Sequence, residues 1–467
     1  MAVEEIAQAP HKFRRVVATV LGLLALSAIF LAVAVPTKPE RIYPKRLPVR
    51  FWHMWTAEQK DVVDRIIDRF NQSQDRYEVI ALSVPGGSAD GKPGTAADTK
   101  FLMAVIGGDP PDCMAQWNAV ISNWANNGLL RPLDELMSAA QRDRFEREAY
   151  PIAKKIGIYK DRLYGMTIGI NVWACYYRLD HLREEGLDPD KFPETLEGLM
   201  EWGRKLHRYD KHGNFTRLGF FPGWNKFMTT YAPVFGGGFY DWQKGKVLIY
   251  TPENLRALTF LDEQVKKIGF KNIVRFYAGV NQGYTVEWPF INGAISIAID
   301  GQWRVEQLRK YAPNLEYRVA PKPAAIGGKS LSGWSNSNFM VIPRGAKQPE
   351  GAWEFIKFWS GLENPERAAE FYIWGGWLPL SPNIAATPVY QAYLQKYPQF
   401  RKFLEILPSE NMDTTPPVPY QVYLYDQITR TEDAIMHSAL DPAQALSRLE
   451  ENVHKELQRR KALGYAD

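Results

Sequence analysis

The strongest constraint on this chain is a strand, a helix and a second strand in immediate succession near its start. Pro48 to Thr56 (PVRFWHMWT) is rich in aromatic and β-branched residues and reads as a strand. In the next stretch, AEQKDVVDRIIDRFNQSQ, Val62, Val63, Ile66, Ile67 and Phe70 recur at helical spacing, which predicts an amphipathic helix. Tyr77 to Val84 (YEVIALSV) then reads as a second strand. Two strands joined by one helical crossover imply a parallel α/β layer.

The pattern recurs. An apolar segment in LMAVIGGDPPDCMAQ ends in a Gly-Pro turn. PETLEGLMEWGRKLH reads as a helix with Thr195 near its start. TPENLRALTFLDEQVKKIG reads as another, with Thr251 as N-cap and Pro252 at the first helical position. AISIAIDG and NFMVIP read as strands, PEGAWEFIKFWSG as a helix, and DAIMHSALDPAQALSRLEENVHKELQRRK as one closing surface helix. No internal repeat or low-complexity tract interrupts this order.

A chain of 467 residues is long enough for two or three domains. Its 15 Trp, 23 Tyr and 23 Phe fit a Trp-rich core or an aromatic-lined cleft. All of the net charge of +5 lies in the first fifty residues, so no basic globular face for nucleic acid is expected. Cys113 and Cys175 sit in apolar settings, as two buried thiols or as one disulfide. No CxxC, HExxH, GxSxG or Walker A motif is present, and the seven histidines lack ligand spacing. No metal or cofactor is expected.

After Lys12, Arg14 and Arg15 comes a run of 20 uncharged residues, Val16 to Val35. A helix of that length rises about 30 Å, the thickness of a bilayer's hydrocarbon. Residues 1–36 therefore read as a signal peptide, cleaved near Ala32-Val33-Ala34, or as an uncleaved membrane anchor. Residues 37–47, rich in Pro, Lys and Arg, read as an extended tether.

Five stretches in a fixed order carry a resemblance: RFWHMWT; GGDPPDCMAQW; LYGMTIGINVWACYYRLDHLREEGLD; PFINGAISIAIDGQWRV; and GWSNSNFMVIPRGAKQPEGAWEFIKFW. Together they resemble the family 1 extracellular solute-binding proteins of ABC importers, the class of the maltose-binding protein. The resemblance implies a two-lobed α/β fold with a hinge and a solute-binding rather than catalytic role. On that analogy 48–168 with 288–327 form the first lobe, and 169–287 with 328–467 the second. The hinge is expected near Thr167–Asn171 and Gly327–Leu331. The protein would be a periplasmic or extracytoplasmic monomer, held to or led across the inner membrane by its first helix. It would deliver its ligand to an ABC permease. The chain departs from the family in having no cysteine after the apolar run, which leaves the mode of membrane retention open.

Ligands of open α/β lobes sit at the carboxyl ends of strands. A sugar needs aromatic rings for its C–H faces and Asp, Asn, Gln or backbone groups for its hydroxyls. The turns after the strands supply Trp55, Thr56, Gly87, Ser88, Gln116, Trp117, Asp300 and Trp303. Trp288, Trp334, Ser335, Asn336, Gly376 and Trp377 complete the expected set, with Trp303, Trp334 and Trp377 as stacking platforms. A mono- or oligosaccharide is the expected ligand. The alternatives are a polyamine, a phosphate ester or a metal chelate, and a sensory module is a further role. A glycoside hydrolase using Asp300 and Glu287 would need eight strand–helix units, which cannot be counted here.

Overall fold

A computed structural model describes residues 19–20, 41–84, 96–117, 120–224, 227–280 and 287–465. The chain divides into two compact units, Met1–Lys45 and Arg46–Asp467. In the first, Thr19 and Val20 are helical, and the Arg41 guanidinium donates to the Tyr43 carbonyl at 3.1 Å. The rest of the expected membrane segment lies outside the described residues. Among the described residues no helix is long and apolar enough to cross a membrane.

The second unit opens with β1 (Leu47–His53), so the tether ends one residue earlier than expected. β1 buries Val49, Phe51 and His53 on one face, the period of two that a half-buried strand requires. It pairs in parallel with β2 (Tyr77–Ser83), from Leu47 against Tyr77 to His53 against Ser83. Helix α1 (Ala57–Ser73) crosses between them and buries Val63, Ile66, Ile67 and Phe70, as the spacing predicts. Helix α2 (Ala96–Ile106) contains LMAVI, and the GGDPP turn leads from it into β3 (Cys113–Trp117), which runs parallel to β1.

Beyond helix α3 (Ile121–Asn126) lies the strand that organises the molecule, β4 (Gly165–Arg178), buried along its whole length. Helix α4 (Leu196–Leu206) starts at Thr195, whose hydroxyl accepts the Gly198 N–H. Helix α5 (Pro252–Ile268) has Thr251 as its cap, as read from sequence. Then follow β5 (Ile297–Gly301), α6 (Trp303–Tyr311), β6 (Tyr317–Ala320) and β7 (Gly333–Pro343). Helices α7 (Pro349–Ser360), α8 (Pro365–Gly375) and α9 (Pro388–Lys396) precede a short strand, β8 (Met412–Asp413). Helices α10 (Gln421–Met436) and α11 (Pro442–Ala462) close the fold.

The main sheet runs in the order β5-β4-β7-β3-β1-β2. The strands β4 and β7 belong to both ends of it. The first half of β4 and the last half of β7 pair with each other, and Asn338–Val341 of β7 also pairs with β3. The second half of β4 pairs instead with β5 on one side and β6 on the other. Gly333–Trp334 of β7 pairs with β8. The result is a two-lobed α/β fold whose lobes share two long antiparallel strands, with a register shift between Asn338 and Phe339 where they cross.

The strand pairing groups these segments differently from the expected lobe boundaries. Residues 288–327 do not join 48–168: β5 pairs with Trp173–Tyr177, the far half of β4. Residues from Phe339 onward do not join the second lobe at first. Helix α7 packs its Phe355 on Phe51 of β1 at 5.2 Å and its Phe358 on Phe70 of α1 at 5.2 Å. The second expected hinge, Gly327–Leu331, is a loop ahead of β7, and the crossing lies at Ser335–Asn338. The physical reason is that strands of both lobes carry the same apolar pattern, and only long-range pairing distinguishes them. The single closing helix is two helices. Asp441 caps the second through the Ala443 and Gln444 N–H groups, and Pro442 has no N–H to continue the first. Cys113 and Cys175 are free and buried; burial pushes the Cys175 thiol up to about 12.

Candidate functional site

The parallel strands of the first lobe end at His53, Ser83 and Trp117, and the crossing strands pass beside them. Gln116 is buried, donating to the Asp98 carboxylate at 2.8 Å and accepting the Trp117 N–H at 2.9 Å. This fixes Trp117, which is only half-buried. Its indole N–H donates to the Asn338 side-chain oxygen at 2.9 Å, tying the end of β3 to the crossing.

Asn338 and Asn336 are two residues apart and therefore lie on one face of β7. Asn336 accepts from the Asn171 amide of β4 at 2.9 Å. Asn171 in turn accepts from Gln302 at 2.8 Å, and Gln302 accepts the Val172 N–H at 3.1 Å. A chain of side-chain amides thus runs from the crossing strands to the residue that starts α6. Each link is a donor matched to an acceptor, as burial of amides demands. Ser335 takes the opposite face and donates to the Asn171 carbonyl at 2.9 Å.

Trp303 follows Gln302 and is half-buried. It meets Trp173 of β4 edge-on at 5.7 Å. A Cβ on Gly301 would lie 2.1 Å from the Trp303 ring, so glycine is required for the ring to lie across that backbone. Its indole N–H is buried with no hydrogen-bond partner among the described residues.

The other expected residues are placed differently. Asp300 is buried in an ion pair with Arg304 at 2.7 Å and accepts the Gly301 N–H, so it neither caps α6 nor reaches solvent. Arg304 stacks over Trp288, which is 1% exposed, and Trp288 packs on Tyr176 and Phe290. Trp55 and Trp377 form a buried block with Trp359, with ring centroids 5.4 to 5.7 Å apart. Trp334 is 4% exposed and faces Tyr425. Gly376 ends α8 with φ +62°, and Thr56 is exposed at the start of α1. Gly87 and Ser88 lie outside the described residues. Of the expected set, the structure brings Gln116, Trp117, Trp303, Ser335 and Asn336 to the crossing. It places Trp55, Trp288, Trp334 and Trp377 in core packing.

Sequence reasoning missed Asn171, Gln302 and Asn338 as members of one network. Their signal was local: amide residues inside otherwise apolar strand segments. It also missed Lys322, a buried lysine whose ammonium donates to the Trp173 carbonyl at 3.2 Å. Burial lowers its pKa to about 8. Near β8, the Trp242 indole donates to Asp413 at 2.9 Å, and burial raises that carboxyl. Among the described residues no cluster of His, Cys, Asp and Glu could hold a metal ion.

Residues 66–400 match the profile of a family described as bacterial extracellular solute-binding protein. The sn-glycerol-3-phosphate-binding periplasmic protein of Salmonella typhimurium is 24% identical over 426 residues, 86% of each chain. The maltotriose-binding protein of Pyrococcus abyssi is 22% identical over 345 residues, 73% of this chain and 68% of that one. Among solved structures, a protein named CpMnBP1 with mannotriose bound superposes with a TM-score of 0.74 at 24% identity, over 87% of this chain and 99% of that one. The sugar-binding protein MalE from Xanthomonas citri superposes with a TM-score of 0.70 at 18% identity, over 90% and 100%.

Proposed function

We propose, from the premise that this chain belongs to the bacterial extracellular solute-binding proteins, that it binds a mono- or oligosaccharide between its lobes and hands it to an ABC permease. One observation carries this reading. Trp117 from the first lobe and Trp303 from the second are both half-buried; Trp117 bonds Asn338 of the crossing directly, and Gln302, the residue before Trp303, bonds Asn171 of the same crossing. Ring faces at two sides with amide groups between them suit a ligand with apolar C–H faces and a girdle of hydroxyls. The site set we propose is Trp117, Asn171, Gln302, Trp303, Asn336 and Asn338. Gly87, Ser88 and Thr56 are retained as further proposed ligand contacts.

We assign 46–169 and 338–397 to lobe one, and 170–337 and 412–465 to lobe two, with a third crossing between 398 and 411. The protein works as a monomer without catalysis, outside the cytoplasm, with Val16–Val35 as its export signal or anchor.

A phosphate ester is the second reading, favoured by the sn-glycerol-3-phosphate-binding Salmonella relative. The charge of the site argues for the sugar. Arg304 is committed to Asp300, and the Lys322 ammonium lies buried against the Trp173 carbonyl. The test is a thermal-unfolding screen with mannobiose, mannotriose, maltotriose and sn-glycerol-3-phosphate. A ligand bound only by the folded state at a hundred times its Kd adds about 2.7 kcal/mol of stability. A saccharide should raise the unfolding temperature. A rise with glycerol phosphate alone would replace the sugar by the ester, and no rise with any of the four would remove both.

A further inference from the structure

Helix α6 begins at the ligand site we propose and continues as an element of lobe two that touches lobe one. Three contacts mark it. The Tyr393 hydroxyl of α9 donates to the Glu306 carboxylate at 2.6 Å. Gly376, at the end of α8, lies so close that a Cβ there would be 2.9 Å from Glu306 Cγ. Lys310 pairs with Glu58, in the first turn of α1. Glu306 also holds Arg309 at 2.7 Å, which fixes the carboxylate toward Tyr393.

The three lobe-one contacts come from separate parts of the chain, yet they converge on one face. Helix α8 packs on the first lobe through Trp374, beneath the Arg65 guanidinium, and through the Glu370–Arg69 ion pair. Tyr393 neighbours Tyr390, which is buried in the same layer. Glu58 follows the carboxyl end of β1, the cleft side of a parallel sheet. On the other partner, α6 is rooted in lobe two through β5 and through Trp303 against Trp173.

We infer that Glu306 and Tyr393, supported by the Lys310–Glu58 pair, form a latch that holds the lobes closed and seats Trp303 on the ligand. Glu306 and Tyr393 are positioning residues: they act on the ligand through α6. Gly376 explains itself on this view. Its left-handed φ of +62° ends α8, and its missing side chain leaves space for Glu306. The two parts of the latch differ in weight. A part-buried bond from a hydroxyl to a carboxylate outweighs an exposed ion pair, which adds little alone.

The inference rests on the interlobe ligand site, so the experiment separates the two. Mannobiose, mannotriose and maltotriose are the probes, read by stopped-flow displacement on the full secreted chain. Tyr393→Phe should speed dissociation of the bound saccharide about tenfold, the scale of a hydrogen bond to a charged group. The sugar-free unfolding midpoint should stay near wild type. Spin labels at Arg144→Cys and Lys267→Cys report the interlobe distance, since both native cysteines are buried. Lys310→Glu should lengthen that distance with sugar present, and adding Glu58→Lys should restore it. An unchanged dissociation rate in Tyr393→Phe, or a charge swap no better than the single reversal, overturns the latch. If no saccharide binds wild type, the ligand reading has failed, and the label distance in sugar-free protein decides the latch: lengthening and rescue uphold it, and no change overturns it.

Discussion

Two sets of tryptophans in this molecule look alike in sequence and behave differently in space. Trp55, Trp359 and Trp377 of lobe one pack on one another, each under 5% exposed. Trp117 and Trp303 are half-buried and held by amide-bearing neighbours at the crossing. Trp377 is flanked by Gly375 and Gly376, and Trp303 by Gly301 and Gln302, so glycine and polar neighbours do not tell the two apart. The difference is what the remaining ring face meets. In the first set it meets another indole. In the second, part of the ring surface stays open, and on the function we propose that separates a structural aromatic from a binding one.

The largest expected effect breaks the first set. Trp359 is fully buried between Phe51, Phe355, Trp55 and Trp377. Trp359→Ala should cost about 3–5 kcal/mol, as large cavities in well-packed cores do. The denaturant midpoint reads it, and the saccharide affinity of the protein that remains folded should be unchanged. A wild-type midpoint would mean the block is not the core it is drawn as.

The next effect concerns what the same block does to a titratable group. His53 lies between Phe51 and Trp55 with no exposed surface, and neither ring nitrogen has a hydrogen-bond partner among the described residues. Burial lowers its pKa from 6.5 to about 4. The folded state therefore resists a proton that the unfolded chain accepts below pH 6.5. The stability from His53 is full above that pH and is lost as pH falls from 6.5 toward 4, by up to about 3 kcal/mol. His181 and His207 of lobe two are lowered to about 4 in the same direction. Measuring the unfolding midpoint from pH 7 to 4.5 should show a fall that flattens in His53→Gln. Equal slopes in the two proteins would show that the tryptophan block is wet enough to charge the ring.

Much of the architecture is legible in the sequence because local periodicity carries it. The α1 stripe, the Thr195 and Thr251 caps and the parallel β1–β2 pair all follow from spacing within about forty residues. Lobe membership is not local. Ile297–Gly301 reads as an apolar strand whichever half of β4 it joins, and only its register against Trp173–Tyr177 decides. Which of the expected residues gather at the crossing was legible only in part. Trp334 opens a crossing strand, as expected, yet it turns toward Tyr425 in the lobe-two interior. Asn171 looks unremarkable in GINVWAC, and it becomes central because Asn336 and Gln302 arrive from 165 and 131 residues away.

The smallest of these effects on folding, and the sharpest on function, comes from Trp303. Its ring lies across the Gly301 backbone, its edge contact is Trp173, and part of its surface is open. Truncation removes fewer core contacts than at Trp359, so Trp303→Ala should shift the unfolding midpoint less. It removes the lobe-two ring face from the ligand, and a binding hot spot of this kind is worth about 2 kcal/mol, near thirtyfold in Kd. Trp303→Phe keeps a ring but not the indole's span or its unpaired N–H, and should recover part of the loss. The two losses are measured in one protein, by denaturation and by titration with the saccharide that the thermal screen selects. If Trp303→Ala loses as much stability as Trp359→Ala and no affinity, the two sets of tryptophans are one, and the open face of α6 has another purpose. If affinity falls while the midpoint holds, the division stands, and it stands on the residue that α6 carries to the cleft.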